Sequence, residues 1–145
     1  MFDPSDTTSP AVRLAVLTRP LDSATMGSMA TRVLIVDDHE NFRSSARLLL
    51  EAEGYEVVGE AETGAAGLRA ATELNPDVIL LDVHLPDIDG FDVASRVATG
   101  ESAPRVVITS SRDASDFGEA LARSGALGFV PKSELSGEAL SALLD

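Results

Sequence analysis

The side chains in this sequence best suited to handling a phosphoryl group are the carboxylates of Asp37, Asp38 and Asp82, the hydroxyls of Thr109 and Ser110, and the ammonium of Lys132. Carboxylates in a chain without cysteine suit a hard divalent cation with oxygen ligands, most naturally Mg2+. A lysine adds a mobile point charge. Cation and lysine together can neutralise the equatorial oxygens of a transferring phosphoryl group from two sides. A carboxylate can also be the nucleophile, giving an aspartyl phosphate. Singly, each residue has an ordinary explanation: an Asp after a strand is commonly a turn residue or helix N-cap, and a lone Lys is commonly solvated. The argument therefore rests on what brings them together.

From Arg32 onward, short apolar runs alternate with helical periodicity, as in an α/β fold with a parallel sheet. Val33 to Val36, Val78 to Leu81, Val106 to Ile108 and Gly128 to Val130 read as strands one, three, four and five, with Tyr55 to Gly59 as the second. The continuous apolar runs suit strands covered on both faces. Helical spacing appears from Phe42 to Glu53, from a Thr63 cap to Leu74, over roughly Phe91 to Ala98, and from near Asp113 to Ser124. A last helix is expected to turn Leu135, Leu140, Leu143 and Leu144 toward the sheet.

Such a (βα)5 doubly wound fold usually has strand order 2-1-3-4-5, which makes strands one and three neighbours about 4.8 Å apart. Asp37 and Asp38 end the first strand, Asp82 the third and Thr109-Ser110 the fourth, while Lys132 follows the fifth. In a parallel sheet all these ends share one edge, where ligands bind. Three carboxylates would crowd one crevice, and like charges this close need a compensating cation.

These segments resemble the receiver domains of bacterial two-component response regulators over about Thr31 to Asp145. Val33-Leu34-Ile35-Val36-Asp37-Asp38-His39 is similar to the family's opening strand and acidic pair. Asp82-Val83-His84-Leu85-Pro86-Asp87-Ile88-Asp89-Gly90 is similar to its phosphoacceptor loop, and Gly125 to Lys132 to the stretch into its last strand and lysine.

The resemblance implies a flavodoxin-like fold and a phosphoacceptor switch, not a turnover enzyme, with Asp82 the nucleophile that attacks a phosphohistidine. It implies that Asp38, Asp82 and the backbone carbonyl of His84 ligate Mg2+, that Asp37 holds metal-bound water, and that Lys132 binds a phosphoryl oxygen. A hydroxyl ending strand four would swing to another oxygen, coupled to the rotamer of Phe129. Counting forward from Pro104 makes that hydroxyl Thr109, the preferred choice; counting back from Lys132 makes it Ser110. His84 sits where the family tunes the lifetime of the phosphoryl group.

The same resemblance implies a sensor histidine kinase as phosphodonor. The output is expected through protein contacts on the face of the fourth helix, fifth strand and fifth helix, and whether phosphorylation drives a homodimer is left open. The chain stops just after the fifth helix, so a single-domain regulator is expected.

Composition narrows the alternatives. A formal charge of −13 and the lack of a basic recognition helix disfavour direct nucleic-acid binding. The absence of cysteine fits a cytoplasmic protein, and no apolar run approaches the roughly 20 residues of a membrane span. Residues 1–30, rich in Pro, Ser and Thr, read as a flexible leader ahead of a receiver domain at 31–145. Two lone loop histidines, His39 and His84, read as solvent-facing side chains and not as a zinc site. Gly64 to Gly67 lacks the spacing and lysine of a P-loop.

Three rivals remain. An aspartyl phosphatase would usually carry a second acid at position 84, and would turn over small phosphoesters steadily. A scaffold would not load phosphate at all. A fragment of a longer DNA-binding regulator would be revealed by the downstream reading frame.

Overall fold

In the computed structural model, which describes residues 30–97, 103–112 and 117–144, five parallel strands run in the order β2-β1-β3-β4-β5. They are β1 (Arg32–Val36), β2 (Glu56–Ala61), β3 (Val78–Asp82), β4 (Arg105–Ser110) and β5 (Gly128–Pro131). Among the described residues five α-helices connect and cover them: α1 (Glu40–Ala52), α2 (Gly64–Leu74), α3 (Gly90–Val97), α4 (Glu119–Arg123) and α5 (Gly137–Leu144). This is the doubly wound, flavodoxin-like order expected from the sequence.

Alternation along the strands divides the core into two layers. Val33 and Ile35, Val78 and Leu80, Val107 and Val130 pack with Ala46 and Leu50 of α1 and Leu140 of α5. The intervening residues Leu34 and Val36, Ile79 and Leu81, Val106 and Ile108 pack with Val93 and Ala94 of α3, and with partly buried side chains of α2 and α4. Every residue of β3 is buried, Asp82 included.

Three boundaries differ from the sequence reading. The second strand continues past Gly59 to Ala61, where the Ala61 carbonyl accepts from the Asp37 N–H at 2.9 Å. Backbone pairing decides that end, whereas Glu60 hides it in the apolar pattern. The described fourth helix begins only at Glu119, because Gly118 has a φ of 52°, outside the helical region; Asp113 and Ala98 lie outside the described residues. Leu135 precedes α5 in extended backbone after a short 3-10 turn, Lys132–Glu134, although it still packs on the core. Ser136 caps α5 in its place, its Oγ accepting from the Ala139 N–H at 2.9 Å.

The expected Thr63 cap of α2 is present. Thr63 Oγ1 accepts from the Ala66 N–H at 3.0 Å, and Asn75 closes the helix in the left-handed region at φ 49°. No described helix is long and apolar enough to cross a membrane.

Neighbouring leucines of α1 provide a test of this layering. Leu50 is fully buried, whereas Leu48 is 71% exposed. Leu50→Ala is expected to cost about 2–5 kcal/mol in denaturant unfolding, and Leu48→Ala about 0.5 kcal/mol or less.

Candidate functional site

The sheet order places the ends of β1, β3 and β4 side by side, and Asp82 pairs in register with Thr109. Asp37 and Asp82 are both buried, and Asp38 beside them is exposed. Asp37 is held from its own turn: Oδ1 accepts from the His39 N–H at 2.8 Å and lies 3.0 Å from His39 Nδ1. Arg43 of α1 donates to the Asp37 carbonyl at 2.6 Å and to Glu60 of β2 at 3.1 Å. Arg47, which donates to Glu60 at 2.7 Å, and to a lesser degree Arg43 hold that carboxyl below its usual range against the opposing effect of burial.

Lys132 leaves the end of β5 in the 3-10 turn and returns across the edge. Its Nζ lies 2.7 Å from Asp37 Oδ2, 3.6 Å from Asp82 Oδ1 and 4.7 Å from the centre of the Phe42 ring. The approach to Asp37 Oδ2 is a charge contact without hydrogen-bond geometry, and the buried Asp82 Oδ2 has no hydrogen-bond partner among the described residues. Burial first, then the Asp37 charge, pushes the Asp82 carboxyl up to about 6, against the opposing pull of Lys132 and of the His84 backbone N–H.

The loop from Asp82 to Gly90 is anchored at three points. The Gly90 N–H donates to the Val83 carbonyl at 2.8 Å, and a Cβ at Gly90 would run into the Asp82 carbonyl. The Asp87 carboxylate accepts from Gly64 N–H (2.7 Å) and Ala65 N–H (2.9 Å) at the start of α2, and from Ile88 N–H (2.9 Å). These donors, led by Ala65 and Gly64, hold Asp87 below its ordinary pKa. Asp89 Oδ1 accepts from the Phe91 N–H at 2.7 Å at the start of α3.

The His84 ring meets Phe117 (centroids 6.1 Å apart), which in turn meets Phe91 (5.4 Å) and Phe129 (6.0 Å). Sequence patterning did not single out Asp87 as a helix cap or Phe117 as the centre of a ring cluster. Both depend on contacts between segments distant along the chain.

Asp37, Asp38, Asp82 and Lys132 are therefore together, and of the two candidate hydroxyls Thr109 is the one paired in register with Asp82. His39, read from the sequence as a solvent-facing residue, is exposed, with its Nδ1 atom against the Asp37 and Asp38 carboxylates. One ligand atom from each of Asp37, Asp38, His39 and Asp82 lies within 4.8 Å of the others. A buried carboxylate oxygen without a partner, among donors dominated by oxygen, fits a divalent cation.

Comparison with known proteins identifies the family. The response regulator receiver domain family matches residues 33–144. This chain belongs to the response regulator receiver domain family.

Among its relatives, BvgA of Bordetella pertussis is 39% identical over 114 residues, covering 79% of this chain and 54% of that protein. The transcriptional regulatory protein LiaR of Bacillus subtilis is 35% identical over 113 residues, covering 77% and 54%. The receiver thus spans about half the length of the curated relatives it matches. Among solved structures, the signal receiver domain of NarL from Mycobacterium tuberculosis superposes with a TM-score of 0.71 at 34% identity, covering 79% of this chain and 97% of that one.

The raised Asp82 pKa has a definite sign in stability. Between its ordinary value of 3.8 and about 6, the folded receiver holds a proton that the unfolded chain has released. The carboxyl is therefore best tolerated below 3.8, and stability is lost as pH rises through about 6. In chelator at pH 7.5, Asp82→Asn is expected to be more stable than wild type by on the order of 1–3 kcal/mol. The gain should narrow as the pH falls toward 4 in thermal melts.

Proposed function

We propose that this receiver is a phosphoacceptor switch in which Asp82 takes a phosphoryl group from a sensor histidine kinase. The observation that carries this reading is the buried, unpartnered Asp82 Oδ2 with Lys132 Nζ 3.6 Å from the other carboxylate oxygen. A carboxylate oxygen of Asp82 attacks phosphorus, the bond from phosphorus to the imidazole nitrogen breaks, and the imidazole leaves as a neutral base after taking up a proton.

Lys132 moves its charge from Asp37 to a phosphoryl oxygen. Asp38, Asp82 and the His84 carbonyl would hold Mg2+, with Asp37 beside them as its outer partner. Bound Mg2+ supplies positive charge to the phosphoryl oxygens.

Strand register favours Thr109 over Ser110 as the responding hydroxyl. Thr109 is paired with Asp82, as Val107 is with Leu80, and paired residues of parallel strands face the same side of the sheet. Ser110 follows the row of Val106 and Ile108 on the opposite face, where its Oγ accepts from the Arg112 N–H at 3.0 Å. A hydroxyl that reaches a group carried by Asp82 belongs on the face of Asp82. The output then passes to a protein partner through the face of α4, β5 and α5, with residues 1–30 acting as a leader to the domain.

Intact mass after incubation with acetyl phosphate tests the acceptor. One phosphoryl adduct is expected with Mg2+, absent in chelator and absent in Asp82→Asn; an adduct of equal yield in Asp82→Asn would remove Asp82 from the role. For the hydroxyl, fluorine NMR of fluorophenylalanine-labelled protein should show a Phe129 shift on loading that persists in Ser110→Ala and is lost in Thr109→Ala. The opposite pattern would give the role to Ser110.

A further inference from the structure

The pocket is not made of oxygen alone. His39 Nδ1 lies 3.0 Å from Asp37 Oδ1, 3.1 Å from Asp38 Oδ1 and 3.4 Å from Lys132 Nζ. It is the one nitrogen among the mutually close ligand atoms of Asp37, Asp38, His39 and Asp82. The backbone holds it there: His39 ends the β1–α1 connection with extended φ and ψ of −94° and 108°, and its N–H is spent on Asp37 Oδ1. The rest of the ring is open, the side chain being 62% exposed, so a cation can reach Nδ1 without any strand moving.

A second feature belongs to the same cluster. Among the described residues, Oδ2 of Asp82 and Oδ2 of Asp37 are buried without a hydrogen-bond partner, although a buried polar atom ordinarily has one. Atoms within 4.8 Å of one another can share one ion at metal–ligand bonds of about 2.0–2.4 Å.

We propose that His39 is a nitrogen ligand of this pocket, which therefore takes first-row transition dications of the Mn2+, Co2+ and Zn2+ class in preference to Mg2+. The inference deepens the cation site of the proposed function and rests on it. Its physical basis is ligand softness. Mg2+ gains little from imidazole and keeps its waters, whereas Co2+ and Zn2+ are well served by imidazole nitrogen. The alternative role for Nδ1 is to donate a hydrogen bond to the neighbouring carboxylates, which would favour no cation over another.

The test titrates the whole chain with CoCl2, MnCl2 and MgCl2 separately, following heat of binding. His39→Ala is expected to lose about tenfold or more in Co2+ affinity while Mg2+ affinity changes by about twofold or less. Pulsed EPR of bound Mn2+ is expected to show nitrogen-14 modulation from imidazole. His39 and His84 are the only histidines, so the modulation should vanish in His39→Ala and survive in His84→Ala.

Wild-type protein without nitrogen modulation, modulation that depends on His84, or an equal loss of Co2+ and Mg2+ affinity in His39→Ala would overturn the inference and leave the oxygen pocket standing. Binding of none of the three cations, or binding unaltered by Asp82→Asn, would overturn both the inference and the cation site beneath it.

Discussion

The structure depends on a carboxylate kept where a carboxylate is least welcome. β3 is covered on both faces, so Asp82 at its end inherits the burial of the strand. Asp37 is buried beside it, and Lys132 Nζ is drawn closer to Asp37 (2.7 Å) than to Asp82 (3.6 Å). One ammonium against these carboxylates leaves an excess of negative charge in a crevice where two of them are buried, and burial of an unpaired ion costs on the order of several kcal/mol. Added positive charge, whether from a cation or from a rearranged lysine, relieves it. The two apolar layers, anchored by Leu50, Leu140, Val93 and their neighbours, supply the stability that lets the crevice remain so unfavourable at rest.

Much of this was legible in the sequence, and for a simple reason. β1, β3 and β4 are continuous apolar runs, so their ends are sharp. Asp37, Asp38, Asp82 and Thr109-Ser110 could thus be placed on one edge once the strand order was assumed. The choice between Thr109 and Ser110 was less clear by counting, yet the alternation of Val106, Val107 and Ile108 already contains the information about which face each hydroxyl takes.

The misplaced features have a common physical origin. The end of β2 is decided by pairing with the backbone of Asp37, and the start of α4 by the positive φ of Gly118. The approach of His39 to Asp37 is set by its N–H bond to that carboxylate. None of these leaves a periodic trace in residue types. Asp87 is instructive in the same way: it reads as one more loop acid, but its carboxylate joins the Asp82–Gly90 loop to the first turn of α2. With Gly90 packed against the Asp82 carbonyl, that loop is anchored at both its middle and its end.

The cluster around Phe117 bears on how such a rigid site can signal. Phe117 touches His84 in the Asp82–Gly90 loop, Phe91 at the head of α3 and Phe129 on β5, so one half-buried ring is common to a loop, a helix and an edge strand. A displacement at the loop is therefore offered to the helix and the strand at once, and Phe117 is a junction where the path divides and not a link in a single file.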